Sequence, residues 1–327
     1  MRLFSHVFQC LRLSAVLLLA ILPGCATRTP TASNEQITGC LGARTSDSAV
    51  AQCTAVMNAG VGDSALLAKT HFMRGTAWHS KGESGRANAD FTKAISFDSE
   101  FAPAYLGRAV LRDARGDYDG AIADYAQAIR LNPRDAGAYN DRASAFSAKG
   151  EFEKAIPDLE TALRLDPALH AALVNRAYVA VGEGNYPKAT EHFARATRVK
   201  PPDAYHLLWH FVAQTRSGPY TEKLRVAQTE LADLSARQAD SSFSLQVVDF
   251  YLGRLVEPIL RARAGDRDSR IRQEQTCQVD YFVGQWHLMR GDTALGTPLL
   301  QAVVRNCPAN FHERWAASLE LRRIAPR

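Results

Sequence analysis

The chain has 327 residues, 46% of them hydrophobic and 22% charged, with 21 Gly, 14 Pro and six Cys. That length and apolar content exclude a disordered chain, a collagen and a disulfide-dense miniprotein, and they suffice for one large or two ordinary domains. The formal net charge is +5, and without a Lys/Arg run it points to no nucleic-acid partner.

The N-terminus reads as an address. Residues 1–24 combine Arg2 and Arg12 with an uncharged run from Leu13 to Leu22, too short to span about 30 Å of hydrocarbon, so they form a signal peptide and not a membrane-spanning helix. Its removal leaves a net charge of +3. Leu22-Pro23-Gly24-Cys25 resembles the bacterial lipobox, which makes Cys25 the lipidation site, acylated on its sulfur and on its amine. Several acyl chains anchor firmly where one binds only marginally. Ala26, in place of an inner-membrane-retaining Asp, implies in that family the periplasmic face of the outer membrane. Residues 25–38, rich in Thr, Pro and Asn, suit a tether. Residues 39–67 are expected to form capping helices, with Asp47–Met57 resembling the second helix of a hairpin.

The body repeats every 34 residues. Gly82, Gly116, Gly150 and Gly184 share this spacing, as do Ala87, Ala121, Ala155 and Ala189, and Ala94, Ala128, Ala162 and Ala196. Phe91, Tyr125, Leu159 and Phe193 follow four after the first alanines, and Pro133, Pro167 and Pro201 keep the period. Small residues let two helices approach, the Gly permits a tight turn, the bulky residue fills the gap between units, and Pro ends each unit. This pattern resembles the tetratricopeptide repeat (TPR). It implies an all-α helical-hairpin solenoid with four repeats over residues 68–203. Each unit must stack to cover its apolar face.

An irregular helical segment follows over 204–276, with helices expected near 204–217, 220–238, 245–253 and 256–264. Cys277, Gly284, Gly291, Leu300 and Pro308 then restore the repeat phase, so 277–327 holds a fifth repeat-like unit, with Gly296 where Ala is usual, and a closing helix near 311–325. Leu208-Trp209, Asp249-Phe250-Tyr251-Leu252-Gly253, Gly291-Asp292 and Phe311-His312-Glu313-Arg314 resemble the NlpI-like outer-membrane lipoproteins. That resemblance implies a homodimeric adaptor holding a periplasmic protease and peptidoglycan hydrolases. The alternative is a lipoprotein that assembles or pilots an envelope secretion or pilus complex.

Four cysteines remain after the leader and Cys25, and they allow three pairings. In a hairpin turning near position 15 of the repeat, positions summing to about 32 face each other. Cys277 and Cys307, at positions 1 and 31, are therefore expected to bridge. Cys40 and Cys53 are expected to tie the cap, although they lie about one turn out of register. Arg74, Arg108, Arg142 and Arg176 share position 7, and Asp90, Asp124 and Asp158 share position 23, with His192 breaking the second column. These nearly facing columns predict a structural ladder; the competing reading is an anion-binding stripe.

Positions 2, 5, 9 and 12 of each first helix line the concave groove of this fold. They supply Lys69, Phe72, Thr76 and His79, then Leu106, Val110 and Asp113, then Asn140, Ser144 and Ser147, then Val174 and Tyr178. Pro103, Gly137, Ala171 and Val181 complete the set. This mixed, mildly apolar lining suits an unstructured protein segment, unless the middle helices fill the groove. Lys69 and Asn140 alone do not rebuild a carboxylate clamp. The chain carries no catalytic, phosphate-loop or dinucleotide motif, so no enzyme, cofactor or metal is expected. His206 and His210 suit packing or a dimer interface. Arg254, Arg261, Arg263, Arg267, Arg270 and Arg272 form either a solvated face or a surface for lipid headgroups, peptidoglycan carboxylates or an acidic partner.

Overall fold

A computed structural model describes residues 32–60, 63–218, 220–236, 242–308 and 311–325, so the expected signal peptide and Cys25 lie outside the described residues. Among them are seventeen α-helices and no strand. The helices α1 (Asn34–Leu41) and α2 (Ser46–Asn58) form an N-terminal hairpin. Four hairpins follow: α3 (Ser64–Ser80) with α4 (Ser84–Phe97), α5 (Ala102–Asp113) with α6 (Tyr118–Leu131), α7 (Ala136–Ala148) with α8 (Phe152–Leu165), and α9 (His170–Glu183) with α10 (Tyr186–Val199). The middle contains α11 (Ala204–Arg216), α12 (Tyr220–Ser235), α13 (Phe243–Tyr251) and α14 (Glu257–Arg263). The hairpin of α15 (Ser269–Met289) and α16 (Thr293–Asn306) follows, and α17 (His312–Ile324) closes the chain.

The repeat columns act as their chemistry requires. Gly82, Gly116, Gly150, Gly184 and Gly291 all turn with φ between 73° and 82°, a left-handed conformation that a Cβ penalises. The residues before the unit-ending prolines, Asn132, Asp166, Lys200 and Cys307, leave the helical region, because proline crowds a helical predecessor. Phe91 is buried, and Cβ atoms placed on Gly75 and Gly107 would come within 2.9 Å and 2.7 Å of its ring. One aromatic side chain thus fills the space between consecutive first helices. Gly296 replaces the usual alanine because a Cβ there would lie 2.8 Å from the Gly284 carbonyl oxygen.

Three boundaries differ from the sequence reading. Helix α1 begins at Asn34, inside the expected tether, because Ser33 and Gln36 form a reciprocal capping box. Helix α3 begins at Ser64, where the Asp63 side chain accepts from the Ala65 amide. Helix α15 extends eight residues ahead of Cys277, capped by Asp268. The largest core cluster is shared by all helices from α9 to α17, with Trp209, Tyr251, Tyr281 and Phe282 fully buried.

Candidate functional site: a half-open groove

Each arginine–aspartate pair joins the two helices of one hairpin. Arg74 Nε and Nη2 donate to Asp90 at 2.8 Å, Arg108 repeats this with Asp124 at 2.8 Å, and Arg142 with Asp158 at 2.7 Å. Burial opposes ionisation of Asp90, but the bonds from Arg74 and His71 outweigh it and hold the carboxyl below its usual range. Arg74 Nη1 also donates to Thr54 at 3.1 Å, fastening the N-terminal hairpin to the first repeat. Arg176 departs from the expected ladder. It is 3% exposed and turns to Glu183 at 3.0 Å, because position 23 of its unit is His192. Burial, reinforced by Arg176, lowers the His192 pKa to about 4, so the ring is a neutral filler there.

Both cysteine pairs lie at disulfide distance. Cys40–Cys53 joins α1 to α2, and Cys277–Cys307 joins α15 to the end of α16.

The sixteen inner-face positions divide into two environments. Lys69, Thr76, His79, Val110 and Ser144 are exposed, and Phe72, Leu106, Asp113 and Ser147 are half-buried. Asn140 is buried but polar: its Oδ1 accepts from Asn175 Nδ2 at 3.0 Å, and its own Nδ2 donates to Asp141 at 3.1 Å. Partial burial raises the carboxyl pKa of both Asp113 and Asp141, and Asp141 adds to the shift of Asp113. The open stretch over repeats one to three therefore carries an acidic centre. Val174, Tyr178 and Val181 of the fourth repeat are instead buried at 5%, 4% and 3% exposure.

Their cover comes from two directions. Helix α11 sets Trp209 against Tyr178, with ring centroids 5.1 Å apart. The closing helix α17 folds back across α9, a placement that the sequence reading left to the middle helices. His312 lies 4.3 Å from Tyr178, and Trp315 stacks on Phe152 at 3.5 Å. A Cβ on Gly182 would fall inside the Trp315 ring. The far end of α17 is held by charge. Glu320, 1% exposed, accepts from Tyr186 Oη at 2.8 Å and from Arg323 Nη1 at 3.1 Å, and it also pairs with Arg216. Arg323 donates to the Gly182 carbonyl as well. Where α17 meets the open groove, a cavity of about 70 Å³ lies among Ser144, Ser147, Phe152, Asn175, Tyr178 and His312.

The other singled-out residues have simpler surroundings. Nδ1 of His206 lies 2.6 Å from the Asp203 carboxylate that caps α11, and His210 packs 5.8 Å from Phe193. Arg261 pairs with Glu257 and Asp280 at 2.7 Å, Arg270 with Glu274 at 3.2 Å and Arg254 with Asp249 at 3.5 Å, while Arg272 donates to backbone carbonyls. Among the described residues no three His, Cys, Asp or Glu side chains are grouped to hold a metal, and no helix is long and apolar enough to cross a membrane.

Known proteins share this architecture. Residues 114–150 match a family model described as TPR repeat, and residues 140–205 one described as Tetratricopeptide repeat. The chain is similar to a solved tetratricopeptide repeat protein from Parabacteroides merdae, at 16% identity and a TM-score of 0.51, over 77% of this chain and 92% of that one. It is also similar to MamA (23% identity, TM-score 0.43, 47% of this chain and 88% of that one). A third similar structure is YrrB, a TPR protein with an unusual peptide-binding site (22% identity, TM-score 0.45, 54% of this chain and 89% of that one). The fold is an all-α TPR solenoid, and TPR repeats are scaffolds that bind protein partners.

Proposed function

We propose that this chain is a non-catalytic scaffold, exported, lipid-anchored through Cys25 and held at the periplasmic face of the outer membrane. Its partners are a periplasmic protease and peptidoglycan hydrolases, brought together in the open half of the groove. The observation that carries the reading is the accessible inner face of repeats one to three, stopped at one end by α17. An extended segment can lie along such a face and bury alternate side chains. The leader and lipobox resemblance support export and anchoring, and the resemblance to NlpI-like lipoproteins supports the choice of partners.

Photo-crosslinking in cells tests this. A crosslinker at Val110, in the groove, is expected to capture the protease and murein hydrolases, while one at Arg130, on a second helix, is not. Equal capture from both positions would contradict the reading, and recovery of a secretion or pilus complex from Val110 would transfer the chain to the assembly class. Cys25→Ser is expected to release the protein from the membrane fraction.

A further inference from the structure

Five carboxylates are buried among the described residues: Asp90, Asp124, Asp158, Glu313 and Glu320. Four have an arginine. Asp90 has Arg74, Asp124 has Arg108 and Arg112, Asp158 has Arg142, and Glu320 has Arg216 and Arg323. Glu313, 3% exposed, has no Lys or Arg within ion-pair distance among the described residues, and its carboxyl is met by its own backbone amide and by the Tyr205 hydroxyl. Buried Glu without a cation is rare, because desolvating a carboxylate is costly unless a charge or several hydrogen bonds compensate. Here burial raises the Glu313 pKa to about 7.

Glu313 also differs from the other four in what it faces. It lies at the floor of a shallow depression open to solvent, lined also by Tyr205, Glu274, Gln278, Phe311 and His312. Two carboxylates, Glu313 and the rim residue Glu274, share this depression with two aromatic rings; Glu274 already pairs with Arg270 at 3.2 Å, so Glu313 is the one without a cation, and aromatic faces attract ammonium and guanidinium groups. Phe311 and His312 line both this depression and the cavity at the end of the open groove. They form the wall between the end of the open groove and Glu313, so a long side chain of a segment ending there has only that wall to pass.

We propose that Glu313 and Glu274, walled by Tyr205 and Phe311, form a socket for a basic side chain, an arginine or lysine of the polypeptide bound in the groove. The proposal rests on the scaffold reading for the source of that side chain. It makes the socket a specificity determinant: the partner supplies the cation that the four other buried carboxylates receive from their own chain.

The test uses N-acetyl-arginine amide and its uncharged isostere, N-acetyl-citrulline amide, titrated into the purified protein by calorimetry and NMR. At pH 8 the arginine probe is expected to bind at least about tenfold more tightly than the citrulline probe, and Glu313→Gln is expected to abolish that ratio. At pH 6.5, arginine binding is expected to release protons, measured as a buffer-dependent heat, and Glu313→Gln is expected to remove the release. The titratable and charged groups around Glu313 are Glu274, with its partner Arg270, and Tyr281 on α15, Tyr205 and His206 on α11, Tyr178 on α9 and His312 on α17 itself. If Glu313→Gln fails to fold, Glu274→Gln at the rim is expected to reduce the ratio about two- to fivefold. Equal binding of the two probes, no binding at millimolar concentration, or an unchanged ratio in a folded Glu313→Gln would overturn the socket. The probes test the socket without a partner, so its failure alongside intact Val110 crosslinking removes only the socket. Lost crosslinking with an intact arginine ratio removes only the scaffold reading.

Discussion

The third and fourth repeats share one backbone plan yet have opposite inner faces. In α7 the inner positions are Gly137, Asn140, Ser144 and Ser147; in α9 they are Ala171, Val174, Tyr178 and Val181. The polar set stays at the surface or bonds to a neighbouring repeat, while Val174, Tyr178 and Val181 of the apolar set are buried under α11 and α17 and Ala171 stays exposed. The repeat columns fix the curvature, and the positions between them decide whether the groove is occupied by the chain itself. One solenoid thus holds a receptive half and a self-filled half, with their boundary at Phe152, Trp315 and His312.

The sharpest way to undo this division is to remove the charge that seats α17. Glu320→Ala leaves Arg216, Arg323 and Tyr186 facing one another without their carboxylate, and is expected to cost about 3–5 kcal/mol in urea unfolding. Cys277→Ser with Cys307→Ser opens the hairpin that carries α17, and is expected to cost about 3–4 kcal/mol by the same measurement. Arg142→Ala strands the buried Asp158 in the receptive half, at an expected cost of about 2–3 kcal/mol, with Val110 crosslinking retained. Unchanged thermal stability would contradict a structural role for that pair. Gly182→Ala places a methyl group in the Trp315 ring and is expected to cost about 1–3 kcal/mol, with the loss of order confined to α9 and α17 in amide exchange.

The smallest expected effect is a pH dependence. Glu313 is raised to about 7 in the folded chain from an ordinary value of 4.5, so the folded state holds the extra proton, and its contribution to stability is lost as pH rises through that window. His312 and His192 are lowered to about 4, so their neutral burial is stabilising above the ordinary value of 6.5 and is lost as pH falls towards 4. These trends oppose each other in the wild type. The difference between Glu313→Gln and wild type isolates the first: the variant is expected to gain relative stability from pH 4.5 to 7 and then level off. A flat difference would contradict the burial of Glu313.

Most of the solenoid could be read from the sequence, because its determinants recur at one spacing: the turn glycines, the inter-unit aromatics and the terminal prolines. The four middle helices also lie close to their expected ranges, since Gly253 and the Ser-rich joints mark their limits. The docking of α17 was not anticipated, because no column encodes it. Two local departures do carry the signal. Gly182 stands where the earlier repeats have Ser80, Ala114 and Ala148, and α9 is apolar on faces that would otherwise meet solvent. The Arg176 departure was signalled by His192, although its turn to Glu183 is a short-range choice that facing positions do not reveal.

Amide hydrogen exchange of the purified chain, followed by mass spectrometry, tests the division of the groove most directly. Segments covering 170–184 and 312–324 are expected to exchange slowly together and to become fast together in Glu320→Ala, with 102–148 unchanged. Fast exchange of 312–324 in the wild type while 170–184 stays protected would show that α17 does not cover the fourth repeat, and would contradict the account.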